Sequence, residues 1–148
     1  MQLIIFCGVQ AAGKSTFYQQ HFSNTHLRLN LDMLKTRHRE NLLFEAALSS
    51  KTKMIIDNTN INIEARSRYM ARALAAGFEV IAYYFDTDLK STLLRNGQRL
   101  GKANIAEVGV RATYKKIEIP KLSEGFQAIY QVRILGNMEF SIQVLDTV

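Results

Sequence analysis

The sequence contains few residues that cross-link or interrupt a chain. Among 148 residues there are one cysteine and one proline, and the eight glycines form no low-complexity run. The single cysteine, Cys7, excludes an intrachain disulfide and is expected to be a small buried apolar residue. Because no linker-like stretch and no internal repeat divides the chain, we expect a single domain over residues 1–148.

Long hydrophobic runs are also missing. The apolar stretch at residues 3–7 is far too short to span a bilayer, and no basic segment and cleavage site accompany it. The three histidines, His21, His26 and His38, show no metal-ligand spacing and no partner cysteine. These features predict a cytoplasmic protein with no membrane association, and they leave the oligomeric state open.

Acidic residues are outnumbered. Nineteen Lys and Arg stand against 13 Asp and Glu, which gives a formal net charge of +6. Most of this excess falls between residues 95 and 121, whose basic residues are Arg95, Arg99, Lys102, Arg111, Lys115, Lys116 and Lys121. Such a segment is typical of a solvated helix face, and equally of a surface that binds an anionic partner.

Strand and helix patterns alternate along the chain, which is typical of a parallel sheet covered on both faces. The expected strands are 2–7, 27–29, 53–56 and 79–85. The clearest helix covers about 63–76, with Asn62 as its N-cap, Gly77 as its stop, and Tyr69, Met70, Ala73 and Leu74 on one face. Near the end, Gly136 and Asn137 separate two apolar runs and predict an antiparallel hairpin with a two-residue turn.

The strongest functional signal is the sequence G-x-x-x-x-G-K-S at residues 8–15, directly after the first strand. This spacing is typical of a loop whose backbone N–H groups surround phosphates. Its expected nucleotide-binding residues are Gly8, Gln10, Ala11, Ala12, Gly13, Lys14, Ser15 and Thr16. Lys14 would reach the outer phosphates, the Ser15 hydroxyl would coordinate Mg²⁺, and the following helix would direct its positive dipole end at the same anion.

Polar residues follow the second and third expected strands, where α/β sheets bind ligands. Asp32 could accept a proton from an attacking hydroxyl, with Lys35, Arg37 or Arg39 holding an anionic acceptor. Alternatively, Asp32 or Asn30 simply caps a helix. Asp57 could act near Mg²⁺ or the acceptor, although the run D-N-T-N at 57–60 is also typical of a turn.

The order of these motifs resembles the kinase module of polynucleotide 5′-hydroxyl kinases and related stand-alone P-loop ATPases. The shared pattern is G-x-x-x-x-G-K-S-T, N-x-D, D-N-T-N, R-N-x-x-R-x-G and I-P-x-L-S-E-G-F, over about residues 3–134. The resemblance implies a P-loop three-layer α/β sandwich that uses ATP, or GTP in its place, with Mg²⁺.

The resemblance also implies individual roles. The general base falls on Asp32, and the arginine that clamps the donor phosphates from a lid at about 95–121 falls on Arg99. Arg95 is a further phosphate-side position of the pattern. Contacts to the acceptor are implied near Lys35, Asp57 and Asn58. Arg66 is a further basic position of the pattern, and we expect it to bind the acceptor as well.

The sequence departs from the family pattern in places. Gln10, Ala11 and Ala12 replace a Pro-Gly-Ser run, and Lys35 replaces an arginine, so a point charge replaces a bidentate fork. No D-x-D-x-T/V phosphatase signature is present, so the resemblance implies a kinase alone.

The most specific interpretation is phosphoryl transfer from ATP to a polynucleotide 5′-hydroxyl. A small-molecule or nucleotide kinase of the same fold, such as an antibiotic or sugar kinase or a zeta-type toxin, would share the loop, acid and lid. A non-catalytic module that uses ATP as a switch would need no proton acceptor at Asp32. The sequence leaves all three open.

Overall fold

The computed structural model describes residues 1–99, 101 and 106–148, and these alternate between strands and helices. The strands are β1 (Gln2–Cys7), β2 (Leu27–Leu29), β3 (Met54–Asp57), β4 (Glu79–Phe85), β5 (Ala128–Ile134) and β6 (Phe140–Val144). The helices are α1 (Lys14–His21), α2 (Leu31–Leu34), α3 (Arg37–Ser49), α4 (Ile63–Ala75), α5 (Leu89–Gly97) and α6 (Glu107–Lys116). Over the described ranges, none of the helices has the length and apolar character needed to cross a membrane.

All six strands form one sheet in the order β2-β3-β1-β4-β5-β6. The first five are parallel, and β6 runs antiparallel to β5. This confirms the expected α/β class with a mostly parallel sheet and an antiparallel C-terminal hairpin. In the register, Phe6 of β1 lies beside Asp57 of β3 and Tyr83 of β4, so the carboxyl ends of the central strands meet at one edge.

The central strand β1 is buried on both faces because helices cover the sheet on both sides. Leu3, Ile5 and Cys7 point into one core cluster, whose helical members come from α3 and α4. Ile4 and Phe6 point into the other, which contains Phe17 and Tyr18 of α1. Cys7 is buried as expected, and burial raises the pKa of its thiol to about 12.

Helix α4 forms as the sequence predicts. The Asn62 side chain accepts a hydrogen bond from the backbone N–H of Ala65 at 2.8 Å, and Gly77 follows the helix with a φ of +82°. Tyr69, Met70 and Ala73 are buried. Leu74 lies beside Met70, as expected for one face, but its side chain is 46% exposed.

Two element boundaries also differ from the sequence prediction. Strand β3 covers Met54–Asp57 rather than 53–56, so Asp57 is the last, buried residue of the strand instead of the first residue after it. The hairpin turn is longer than two residues, because Ile134 pairs with Phe140 and leaves residues 135–139 in the loop. Asn137 and Met138 both adopt positive φ there, so Gly136 and Asn137 alone do not reverse the chain.

Candidate active site at the carboxyl edge of the sheet

A cavity of about 400 Å³ opens at the carboxyl edge of the sheet. It is lined by Gln10, Ala11, Ala12, Gly13, Lys14, Ser15, Thr16, Asn30, Leu31, Asp32, Asp57, Asn58, Thr59, Arg95, Arg99 and Met138. The fold therefore brings most of the expected site residues together from four separate segments, and Met138 adds a fifth. Gly8, Lys35, Arg37 and Arg66 are not among the lining residues.

The loop at residues 8–15 needs glycine at two positions for steric reasons. A Cβ added at Gly8 would lie 2.9 Å from the Cβ of Phe85, so β4 leaves no room for a side chain. Gly13 has a φ of +90°, and a Cβ there would come within 2.9 Å of Ile134. Helix α1 starts directly after Gly13 without a side-chain cap, so its first N–H groups stay available to an anion.

Lys14 bends back onto its own loop. Its Nζ donates hydrogen bonds to the carbonyl oxygens of Gly8 at 2.6 Å and Val9 at 3.0 Å. Burial lowers the pKa of Lys14 to about 8, although the charge of Asp57 opposes this shift. A triphosphate in the loop would favour the protonated amine, because an anion within hydrogen-bond distance stabilises the charged form.

Two arginines lie beside the loop: Arg95 in the C-terminal part of α5, and Arg99 just after that helix. Arg95 donates through Nε to the carbonyl oxygen of Ala11 at 2.7 Å and through Nη2 to Thr87 at 2.6 Å. Arg95 therefore braces the loop backbone, and burial lowers its pKa. Arg99 also lines the cavity. Of the expected lid at about 95–121, residues 100 and 102–105, including Lys102, lie outside the described part of the chain.

Asp32 lies on the opposite wall, in the first turn of α2. The cap of this helix is Asn30, whose Oδ1 accepts from the backbone N–H of Met33 at 3.1 Å and whose Nδ2 donates to the carbonyl oxygen of Asp57 at 2.6 Å. Because Asn30 fills the capping position, the alternative in which Asp32 caps the helix is wrong. The Asp32 side chain is exposed at the cavity.

A buried network, which we call the Asn58 network, holds α2 in place. Asn58 accepts through Oδ1 from the backbone N–H of Leu31 at 3.0 Å and donates through Nδ2 to Glu40 at 2.9 Å. Glu40, only 2% exposed, also accepts from the Tyr69 hydroxyl at 2.8 Å. Arg37 donates to both Glu40 at 3.0 Å and Tyr69 at 2.9 Å. The network connects α2, α3, α4 and the turn that follows β3.

The Asn58 network was not expected from the sequence. Both ends of the Asn58 amide form hydrogen bonds within the protein, so this side chain positions α2. Asn58 also lines the cavity, and its contact with the acceptor stays a prediction. Arg37 supplies the positive charge that a buried carboxylate needs. Tyr69 was expected only as part of the buried face of α4, and burial beside the charge of Glu40 raises its pKa to about 12.

The burial of Arg66 does not fit the contact with the acceptor that was expected for this residue. Arg66 is fully buried and forms two hydrogen bonds to Glu124, at 2.8 Å and 3.0 Å. Its Nη1 also donates to the carbonyl oxygens of Asn60 and Glu118. Arg66 thus fixes the segment after α6 onto α4. The Glu of the L-S-E-G-F motif is the partner that makes this buried charge tolerable.

Oxygen ligands suited to Mg²⁺ lie at one side of the cavity. The Ser15 hydroxyl and the carboxylate of Asp57 are close enough that Arg28 bonds both, at 3.0 Å and 2.7 Å. Hydroxyl and carboxylate oxygens are the donors that hard divalent cations prefer. Among the described residues, no cluster of three or more His, Cys, Asp or Glu forms a metal site. The residues present therefore fit a metal held partly by a bound nucleotide.

The position of Arg28 at the site was not predicted from the sequence. The signal was a charged residue between Leu27 and Leu29 in a short strand, but this alternation alone only predicts one exposed side of an edge strand.

A curated protein is similar in sequence to this chain. A curated relative, the bifunctional polynucleotide phosphatase/kinase of Schizosaccharomyces pombe, is 24% identical over 144 residues. The match includes 88% of this chain but 33% of the relative, so the chain spans about one third of that protein's length.

Solved structures share the fold. Kti12 of Chaetomium thermophilum, determined in complex with ADP-AlF3, aligns with a TM-score of 0.70 at 14% identity, covering 88% of each chain. A gluconokinase from Sinorhizobium meliloti 1021 aligns with a TM-score of 0.64 at 12% identity, covering 93% of this chain and 85% of its own. The AAA domain family matches residues 34–117, more than half of the sequence. The chain therefore has the fold of these P-loop structures and belongs to the AAA domain family.

Proposed function

We propose that this protein is a kinase that transfers the γ-phosphoryl group of ATP to the 5′-hydroxyl of a polynucleotide. The observation that carries the proposal is a single cavity in which the phosphate-binding loop faces both Asp32 and Arg99. A phosphate-binding loop alone would serve a binding protein. A carboxylate opposite it is what transfer to an alcohol requires.

On the donor side, the N–H groups of the loop, Lys14 and Arg99 would bind the triphosphate. Ser15, with Asp57 behind it, would hold Mg²⁺, which when bound supplies charge neutralisation at the phosphates. Arg99 would stabilise the charge on the equatorial oxygens as the phosphoryl group moves. Arg95 would keep the loop in its binding conformation through Ala11.

On the acceptor side, Asp32 would accept the proton of the attacking hydroxyl. Asn30 and the Asn58 network fix the turn that carries it, so the carboxylate meets the substrate in a defined position. Lys35 is exposed beyond α2 and would contribute a positive charge to an anionic acceptor.

Two observations favour a polynucleotide acceptor. The curated relative is named as a polynucleotide phosphatase/kinase. The chain also carries a net charge of +6, and the exposed residues Lys115 and Lys116 at the end of α6 extend the positive charge beyond the cavity. A long anionic substrate would contact such a surface.

A second candidate is a small-molecule kinase. The fold matches that of a gluconokinase over 93% of this chain, and a cavity of about 400 Å³ is of a size that small ligands occupy. In this case the positive charge outside the cavity would have no role in the reaction.

An acceptor panel separates these candidates. Labelled ATP is offered with Mg²⁺ to 5′-hydroxyl DNA and RNA oligonucleotides, the same oligonucleotides with 5′-phosphates, nucleosides, and small sugars including gluconate. The proposal expects label on 5′-hydroxyl ends only, and Asp32→Asn serves as the matched inactive control. Transfer to a sugar but not to oligonucleotides would support the second candidate, and no transfer to any acceptor would overturn the kinase proposal.

A further inference from the structure

Arg28 on β2 bonds the two protein groups that fit the metal. Its Nη2 donates to the Ser15 hydroxyl oxygen at 3.0 Å, and its Nε donates to Oδ2 of Asp57 at 2.7 Å. Asp57 is only 2% exposed, so the guanidinium supplies the charge that compensates this buried carboxylate.

The position of this guanidinium conflicts with a metal on the same oxygens. A hydroxyl that accepts from Arg28 presents that lone pair to the arginine, and a divalent cation close to the guanidinium would be repelled by its charge. Each cation therefore weakens the binding of the other at Ser15 and Asp57 in this geometry.

We propose that the Arg28 guanidinium holds Ser15 and Asp57 together before the divalent metal binds, and that it competes with the metal for these two groups. This inference rests on the nucleotide- and metal-binding part of the proposed function and is independent of the acceptor. It makes Arg28 a residue that sets the Mg²⁺ concentration at which the site accepts metal–nucleotide.

The surroundings of Arg28 allow the exchange. Its side chain is 24% exposed, it sits on the edge strand β2, and the guanidinium lies 5.8 Å from the centre of the Tyr18 ring. A cation over an aromatic face keeps a favourable contact, and the exposed part of the side chain gives the guanidinium room to leave the two oxygens.

The test is an Mg²⁺ titration of ATP binding by calorimetry, with wild type and Arg28→Gln. Removing the Arg28 guanidinium should lower, by about tenfold, the Mg²⁺ concentration at which half of the Mg²⁺-dependent change in ATP affinity is reached. This change corresponds to one charge-assisted hydrogen bond. In EDTA the same variant should bind ATP several-fold more weakly, because a positive charge beside Ser15 is lost. An unchanged or higher Mg²⁺ midpoint would overturn the proposal.

Two further variants keep the result interpretable. Arg72→Gln removes an arginine that pairs with Glu45 at 2.6 Å and packs on Phe44, outside the cavity, and its Mg²⁺ midpoint should equal that of wild type. Arg28→Lys retains the charge without the planar fork and serves if Arg28→Gln does not fold. The Mg²⁺ midpoint of Arg28→Lys should be lower than that of wild type. A midpoint equal to that of wild type would count against the proposal.

Binding of Mn²⁺ alone, followed by electron paramagnetic resonance, gives a readout without nucleotide or acceptor. Arg28→Gln should bind Mn²⁺ more tightly than wild type, and equal binding would contradict the competition. Because none of these measurements requires phosphoryl transfer, a failed acceptor panel and a failed Arg28 test are distinguishable.

Discussion

The two sides of the cavity are built in different ways. The donor side is one contiguous loop, residues 8–15, whose shape depends on Gly8, Gly13 and backbone N–H groups, with Arg95 bracing it from α5. The acceptor side is a short turn at Asp32, held by side chains from α3, α4 and the turn after β3. Changes in the Asn58 network could therefore alter the acceptor side while nucleotide binding is preserved.

Asp32→Asn gives the largest expected separation between the two sides. Under the proposed function, ATP affinity stays near wild type, while transfer falls by about 10²- to 10⁴-fold because the amide cannot accept the proton. Single-turnover transfer and equilibrium ATP binding measure the two effects. Since Asn30 caps α2, the free energy of unfolding should not change. Near-normal transfer would mean that Asp32 is not the base, as the ATP-switch interpretation holds.

Arg99→Ala tests the donor side. It should lower kcat by roughly a thousandfold for every acceptor, as an arginine at the transferred phosphate does in related chemistry. A matched change, Lys115→Ala with Lys116→Ala, removes exposed charges at the end of α6 and should instead raise KM for a long oligonucleotide. Steady-state kinetics with short and long acceptors distinguish the effects. An unchanged KM for the long acceptor would exclude these two lysines from acceptor binding.

Tyr69→Phe tests whether the Asn58 network positions the acceptor side. Removing the hydroxyl leaves Glu40 without one buried hydrogen bond and should lower the free energy of unfolding by about 1–3 kcal/mol. We expect kcat to fall by roughly tenfold with ATP affinity unchanged. Tyr84→Phe is the control, since Tyr84 lies in the same core cluster outside this network. Lost stability with unchanged kcat would show that the network only supports folding.

The smallest expected effect is a pH dependence of the donor side. Because the pKa of Lys14 is about 8 in the free protein, raising the pH above this value removes the positive charge before ATP arrives. ATP affinity should fall by at most about tenfold per pH unit there, and binding near pH 8.5 should take up a proton. Calorimetry in two buffers with different ionisation heats measures that uptake. Lys14→Met should bind weakly with no uptake.

The contiguous features were predictable from sequence because they depend on local spacing. The strands at 2–7, 27–29 and 79–85 and the Asn62 cap of α4 follow from alternation and from backbone bonding within a few residues. The hairpin loop was not predictable in length. Its extent follows from the pairing of Ile134 with Phe140 across the sheet, which is a long-range contact.

The roles of individual polar residues divide in the same way. Sequence alone placed the G-x-x-x-x-G-K-S loop, because glycines and backbone N–H groups act over eight adjacent residues. The tertiary structure decided which side chains face the cavity and which form ion pairs and hydrogen bonds inside the protein. Arg66 pairs with Glu124, 58 residues away, and Arg28 reaches Asp57, 29 residues away. Spacing in the sequence carries no information about such partners, since a buried charge is placed by the fold that neutralises it.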